Sequence, residues 1–235
     1  MLFRISLNKT LILLGVLSIV GCKKQDDAPK LLEDGKSIVI QDLAGDTKAS
    51  IAEGIDGKEK RPFYTFLFNL KQQKQIWIRT AADSAQWFKT AQWDLAFTGN
   101  YNSEIQINNS RHVGTPGFGG TISSTAIILL SQPYQDVSTA PTDSQFDAST
   151  VTTIGWATDG NSAGWYSYDL SSHIMKAYPN RTYALRLSNG KYAKLQILSA
   201  YKGNPPAVSD LYWPAPYLTF RYYVQEDGSR NLNTN

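Results

Sequence analysis

The stretch from Arg181 to Ala200 constrains the fold of this chain most strongly, because it has the pattern of two antiparallel strands joined by a short turn. Apolar residues recur at every second position from Tyr183 to Leu187, which is the period of a half-buried strand. Asn189 and Gly190 then match a two-residue type I′ turn. The chain returns through the apolar stretch Tyr192 to Ile197, so the sequence predicts a β-hairpin.

Short strand patterns of the same kind fill most of the chain, and the helical signal is confined to Ala81 to Lys89. Turn residues separate the strands at a spacing that is typical of sandwiches and barrels. We therefore predict an all-β fold, a single antiparallel β-sandwich or barrel-like domain. The further predicted strands are Ser37 to Leu43, Arg61 to Leu70, Gln75 to Thr80, Trp93 to Thr98, Glu104 to Asn108, Thr125 to Leu130 and Tyr217 to Gln225.

The N-terminus has the pattern of an export signal. Arg4 and Lys9 precede a nearly continuous apolar run from Leu11 to Val20, which is too short to span a bilayer comfortably. The run ends in Ile19-Val20-Gly21-Cys22, which matches the bacterial lipobox, where a small residue precedes the cleavage site. Residues 1–21 are therefore predicted to be a lipoprotein signal peptide.

Cys22 is the only cysteine of the chain, and the lipobox predicts that its thiol carries the lipid. Acylation at this position removes disulfides and thiolate chemistry from the mature protein and anchors the domain to a membrane without spanning it. The charged stretch from Lys23 to Asp27 resembles the surface-export signal of Bacteroidetes lipoproteins. We predict a flexible tether over residues 22–36, a domain over 37–235, and a surface-exposed location on the outer membrane.

Charge and motifs exclude several classes of function. The chain has a net charge of +3, and loss of Arg4 and Lys9 leaves the mature form nearly neutral, whereas nucleic-acid binders are normally strongly basic. The sequence has no Gly-x-Ser-x-Gly nucleophile elbow, phosphate loop or zinc-binding spacing. These observations predict a binding protein rather than an enzyme.

Two histidines, His112 and His173, are the candidates for metal ligation. His112 lies in the loop-like stretch Ser110 to Gly120 and is either a ligand or an exposed loop residue, the interpretation that we favour. His173 precedes Met175 by two residues, and imidazole and thioether groups both bind haem iron. As an alternative to binding iron, His173 would hold its loop by hydrogen bonds, and we slightly favour this structural role.

Several segments together resemble the HmuY family of lipoproteins. The most specific is Asn180-Arg181-Thr182-Tyr183-Ala184-Leu185-Arg186, followed by Asn189-Gly190-Lys191-Tyr192-Ala193-Lys194-Leu195. The others are Trp93-Asp94-Leu95-Ala96-Phe97, the loop that ends in Gly119-Gly120, Gly164-Trp165-Tyr166 and the terminal Leu218-Thr219-Phe220-Arg221-Tyr222. The resemblance extends roughly from Ser37 to Gln225.

The resemblance implies an all-β lipoprotein that binds haem between two loop side chains and delivers it to an outer-membrane receptor for iron acquisition. His173, Met175 and His112 are then the candidate haem ligands, and Lys176, Arg181 or Arg111 are candidate partners of the propionates. Two features depart from the family pattern. Asp169 stands where a ligand histidine is expected, four residues after the Gly-Trp pair, and the segment from the Pro141 region to that pair, which holds the second ligand in the family, contains no histidine or methionine.

Asp169 also motivates an alternative function. The chain would keep the fold, lose the haem site and act as a non-catalytic binding module for a glycan, another tetrapyrrole or an outer-membrane partner. Exposed tryptophans on one face would make a platform for sugar rings under this alternative. The six tryptophans are Trp77, Trp87, Trp93, Trp156, Trp165 and Trp213.

Overall fold

The computed structural model describes residues 32–55, 57–120 and 124–235. Cys22, the predicted signal peptide and the predicted tether up to residue 31 lie outside the described residues. Leu32–Asn235 form one compact unit. Within the described part of the chain, no helix has the length and apolar character that a membrane crossing requires.

Strand is the predominant regular secondary structure among the described residues, which confirms the predicted all-β class. The strands are β1 Ile38–Ala44, β2 Ala49–Ser50, β3 Glu59–Lys60, β4 Thr65–Asn69, β5 Lys74–Ile78, β6 Leu95–Thr98, β7 Glu104–Ile107, β8 Ala126–Leu130, β9 Thr153–Ile154, β10 Tyr166–Tyr168, β11 Met175–Ala177, β12 Thr182–Arg186, β13 Tyr192–Ser199 and β14 Tyr217–Val224. The helices are α1 Ala81–Trp87 and α2 Asp143–Ala148, with 3₁₀ turns at Asn100–Asn102 and Tyr134–Asp136.

Two five-stranded antiparallel sheets form the body of the domain, and the pairs β2–β3 and β10–β11 form two further, two-stranded sheets. The first has the strand order β1-β14-β13-β12-β8, and the second has the order β5-β4-β6-β7-β9. Their facing side chains form one apolar core, in which the Phe220 ring contacts Phe68 edge-on at 5.4 Å and Phe97 at 5.7 Å between ring centroids. Since Phe220 belongs to the first sheet and its two partners to the second, these contacts make the structure a sandwich.

The outer face of each sheet is covered by a short helix. Thr80 and Asp83 form a capping box that starts α1, and Thr142 and Gln145 do the same for α2. Reciprocal side-chain bonds of this type satisfy backbone N–H groups at a helix start. They let helices of 7 and 6 residues form where a long apolar stripe is missing. The Phe146 side chain of α2 packs with the buried C-terminal Leu232 on the first sheet.

The hairpin of the first sheet forms where the sequence predicts it, but its turn differs from the prediction. Leu187 donates its N–H to the Lys191 carbonyl at 2.8 Å, and Gly190 donates to the Leu187 carbonyl at 3.0 Å. Gly190 has a φ of +80°, whereas Asn189 does not have a positive φ. The connection is therefore a three-residue loop that ends in a left-handed glycine, and the predicted type I′ turn, which needs two positive φ angles, is wrong.

The two ends of the sandwich carry different loops. The chain enters β1 beside the end of β14, with Ile38 opposite Tyr222. Ala44, at the other end of β1, pairs with Tyr217 at the start of β14, so this second end carries the loops around Ala215 and Tyr101.

Within the predicted tether, Lys36 donates from Nζ to the Asn235 carbonyl at 3.2 Å.

Candidate functional site

The β10–β11 hairpin carries the two candidate ligands His173 and Met175. Tyr168 at the end of β10 pairs with Met175 at the start of β11, and the turn between them contains Asp169. The Asp169 Oδ1 atom accepts the N–H groups of Ser171 and Ser172 at 2.8 and 2.7 Å and the Ser171 hydroxyl at 2.7 Å. These hydrogen bonds hold the pKa of the Asp169 carboxyl well below its usual value. Asp169 therefore shapes the turn.

The turn places His173 in an uncommon backbone conformation. Its N–H bonds to the Asp169 carbonyl at 2.8 Å, and its φ is +57°. A residue with a side chain in this left-handed region stores roughly 1–3 kcal/mol, and such strain is common at functional sites. The Asp169 turn thus fixes the backbone of His173 and, through it, the position of the imidazole.

The His173 ring is held by its neighbour on β10. Nδ1 lies 2.9 Å from the Tyr168 hydroxyl, and the two ring centroids are 6.0 Å apart. No described residue hydrogen bonds to Nε2. A histidine that binds a metal normally donates its other ring N–H to a protein acceptor, which fixes the tautomer and the ring orientation. Tyr168 fits that supporting role.

His173 and Met175 line the same pocket, which has a volume of about 260 Å³ and which we call the His173 pocket. It lies at the end of the sandwich where β14 starts. Met175 is buried, and its N–H is bonded to the Tyr201 hydroxyl at 2.9 Å. The pocket is lined by Ser50, Ile51, Ala52, Ile55, Lys58, Tyr101, Tyr168, His173, Ile174, Met175, Tyr201, Asp210, Leu211, Trp213 and Ala215.

The rim of the His173 pocket is open to solvent and carries large apolar side chains beside the exposed Asp210. The side chains of Ile51 and Leu211 are 50% and 61% exposed, and Ile55 is 37% exposed. Large apolar side chains grouped on the surface around a pocket are typical of a binding site. The arrangement therefore suits a ligand with a broad apolar face.

Lys58 is the one lysine or arginine among the described residues that line the pocket. Its Nζ donates to the Ala215 carbonyl at 3.2 Å, and partial burial lowers its pKa. Arg181, predicted as a propionate partner, has another role: its buried guanidinium donates to the carbonyl oxygens of Gly160, Ser162 and Gly164. Lys176 is exposed on β11 and lines a separate cavity.

The structure does not bring His112 to this pocket. Its loop follows the end of β7, whereas Tyr101 of the pocket precedes the start of that strand. The strand has 4 residues at about 3.4 Å per residue, so the two loops begin at opposite ends of the strand, about 13 Å apart. Arg111, the other residue predicted on this loop, is exposed there.

Sequence reasoning found His173 and Met175 but missed the other residues of the pocket. Tyr168 was a detectable partner, because a residue at the end of one strand of a short hairpin faces the start of the other. Ile51, Lys58 and Leu211 come from loops far away in the chain, and their sequences have no period that reports a shared pocket. The pairing of β1 with β14 and the Lys58 contact with the Ala215 carbonyl bring these loops together.

Comparison with known proteins found similarity among solved structures. No family model and no curated protein matches this chain. A protein from Bacteroides vulgatus that is described as HmuY-like and haem-binding is 13% identical, with a TM-score of 0.37 over 80% of this chain and 90% of that one. The apo HmuY analogue of Tannerella forsythia is 12% identical, with a TM-score of 0.38 over 82% and 96% of the two chains.

A third solved structure is described as a lipoprotein, from Bacteroides fragilis. It is 13% identical, with a TM-score of 0.33 over 80% of this chain and 87% of that one. By their descriptions, these three solved structures are a HmuY-like haem-binding protein, a HmuY analogue and a lipoprotein.

Proposed function

We propose that this protein binds haem or a related tetrapyrrole in the His173 pocket and does so as a lipid-anchored, non-catalytic surface protein. One observation carries the proposal: two of the three ligand candidates, His173 and Met175, line a single pocket whose rim carries large apolar side chains. The sequence resemblance to HmuY proteins supports the same ligand.

The donor set of the pocket fits haem iron. Imidazole nitrogen and thioether sulfur are both axial ligands of haem. His173 is the stronger candidate, because Tyr168 supports its Nδ1 atom and no described residue bonds to Nε2. Met175 is buried in the core and would contact the macrocycle or supply the sulfur. Iron bound here would give the protein a haem spectrum, and no catalytic step is assigned to it.

The size of the pocket limits how the ligand is covered. Pockets that enclose drug-sized ligands measure roughly 300–1,000 Å³, and the His173 pocket has about 260 Å³. Part of a porphyrin would therefore lie against the exposed side chains of Ile51, Ile55 and Leu211. Lys58 would pair with a propionate, since an ammonium group attracts a carboxylate.

The position of Asp169 is consistent with a shifted ligand. The family pattern places a histidine at this position, and here the carboxylate forms the turn that holds His173 four residues later. We infer that the imidazole of His173 takes the place of the missing one. The alternative, a module without a haem site, predicts that His173 only stabilises its hairpin.

The topology suits capture on a cell surface. The described chain enters the domain beside the end of β14, whereas the His173 pocket lies beside its start. A tether anchored through Cys22 would join the domain at the end opposite the pocket, which would leave the pocket accessible to haem and to an outer-membrane receptor.

Titration with haemin and with iron-free protoporphyrin tests the proposal. We expect haemin to saturate the purified protein at one equivalent with a sharpened, shifted Soret band, and we expect protoporphyrin to bind more weakly because it lacks the iron. Tyr212→Ala, at a side chain that is 84% exposed, is the control and should bind as the unaltered protein does. A spectrum identical to that of free haemin at every ratio would refute haem binding.

A further inference from the structure

A second groove lies beside the His173 pocket and has a different chemistry. It has a volume of about 450 Å³ and is lined by four aromatic side chains, Tyr101, Trp156, Tyr166 and Tyr168, together with the carboxylate of Glu104. We call it the Trp156 groove. Trp156 is 46% exposed, so its ring is available to a ligand.

The aromatic walls meet at a steep angle. The rings of Trp156 and Tyr168 make an edge contact, with centroids 5.7 Å apart and planes inclined by 69°. Tyr166 is buried, and its hydroxyl lies 3.0 Å from the Ser103 hydroxyl. Differently inclined aromatic rings around one space are the arrangement by which proteins surround quaternary ammonium groups.

The backbone makes room for the Glu104 side chain. A Cβ atom on Gly99 would lie 2.8 Å from Glu104 Cγ, and a Cβ atom on Gly155 would collide with the Glu104 carboxylate. The carboxylate accepts the Trp156 N–H through Oε1 at 3.4 Å. Glycine at both positions therefore lets the carboxylate lie beside the aromatic rings.

The electrostatics of the groove favour a positive ligand. Its described lining contains no lysine, arginine or histidine, and the described residues show no ion pair of Glu104. The faces of aromatic rings carry negative potential, which adds to the charge of the carboxylate. A cation in this space would be attracted by the Glu104 carboxylate and by each aromatic face that it contacts.

We propose that the Trp156 groove binds a small organic cation through its ammonium group. Glu104 supplies the ionic contact, and Trp156 and Tyr168 supply cation–π contacts. The groove shares Ile51, Tyr101, Tyr168 and Met175 with the His173 pocket but does not include His173. Glu104 and Trp156 line the groove but not the His173 pocket, so they can be altered without changing the haem-ligand candidates.

Choline and its uncharged carbon isostere, 3,3-dimethylbutan-1-ol, test the role of charge. Binding is measured by isothermal titration calorimetry on the purified protein. We expect choline to bind at least roughly tenfold more tightly than the isostere, since choline alone carries the positive charge that the Trp156 and Tyr168 rings and the Glu104 carboxylate attract. Equal affinity of the two compounds would overturn the proposal.

Variants identify the groove as the site. Trp156→Ala should abolish choline binding, and Glu104→Gln should weaken it at least roughly tenfold without changing the affinity for the isostere. Tyr212→Ala is the matched aromatic control. Unchanged choline binding in Trp156→Ala, whose side chain is half exposed and not needed for the core, would overturn the proposal whatever Glu104→Gln does.

Two further arms separate the source of the ammonium group and the two proposed sites. Binding of Nα-acetyl-lysine amide, which keeps the ε-ammonium group, with the same dependence on Glu104 would indicate that the ligand is a protein side chain. Binding of choline but not of this compound would indicate a free quaternary ammonium compound. Haemin titration of Glu104→Gln should match that of the unaltered protein. Failure of either site is thus visible in its own assay.

Discussion

The Tyr168 hydroxyl lies 2.9 Å from Nδ1 of His173, and this contact joins the last residue of β10 to the candidate ligand beyond the turn. The backbone of His173 is already fixed by its bond to Asp169. Tyr168 adds control of the ring itself. The pair therefore has the form of a ligand with its outer-shell support.

Tyr168→Phe removes only the hydroxyl of this pair. We expect haemin affinity to fall roughly 10- to 100-fold, the usual loss when the outer-shell partner of a metal ligand is removed. Absorbance titration measures the change. Tyr64→Phe is the control, because Tyr64 is a partly exposed tyrosine outside the described lining of the His173 pocket. An unchanged affinity in Tyr168→Phe would show that the hydrogen bond does not support ligation.

Gly190→Ala tests the observed hairpin turn. Gly190 has a φ of +80° and no atom within 4 Å of the added Cβ, so the cost is conformational. We expect the free energy of unfolding to fall by about 1–2 kcal/mol, measured by urea denaturation. Gly160→Ala is the matched control, because that glycine also has open space but no positive φ, and it should lose no stability.

Asp94→Asn tests a buried carboxyl at the end of the sandwich opposite the His173 pocket. Burial raises the pKa of Asp94 from 3.8 to about 6, although its carboxylate accepts the Leu70 N–H at 2.8 Å. Between about pH 4 and 6 the native state keeps a proton that the unfolded chain releases, so the free energy of unfolding decreases as the pH rises through this window. The loss is at most about 3 kcal/mol.

Asparagine keeps the acceptor for Leu70 and cannot ionise. We therefore expect the stability of the unaltered protein relative to Asp94→Asn to fall between pH 4 and pH 7 in urea denaturation. Taking the difference between the two proteins cancels other groups, such as Asp34, whose pKa hydrogen bonds lower to about 2. Parallel pH profiles would contradict a raised pKa for Asp94.

Much of the fold could be predicted because apolar residues recur at every second position in the strands. Leu218, Phe220 and Tyr222 are fully buried on one side of β14, as their alternation predicts, and α1 forms within the short helical segment. The sequence did not reveal α2, because its helix depends on the Thr142–Gln145 capping box and on Phe146 packing against the first sheet. A segment of 6 residues carries too little periodic signal.

The candidate site was predictable only in part. His173 and Met175 belong to one hairpin, so their closeness in the chain reports their closeness in space. Lys58 and Arg181 show what the sequence does not reveal, because residue type alone makes each of them a candidate partner of an anion. Only tertiary contacts place Lys58 in the pocket and engage Arg181 with three carbonyl oxygens.

The most direct test of the central claim is the absorption spectrum of the haemin complex of His173→Asn beside that of the unaltered protein. Asparagine accepts the left-handed backbone of residue 173 with little strain but removes the imidazole, so the turn is kept while the ligand is lost. We predict that the unaltered protein gives a saturable, shifted Soret band at one equivalent and that His173→Asn loses it. The same spectrum and affinity in His173→Asn would contradict the assignment of His173 as a haem ligand.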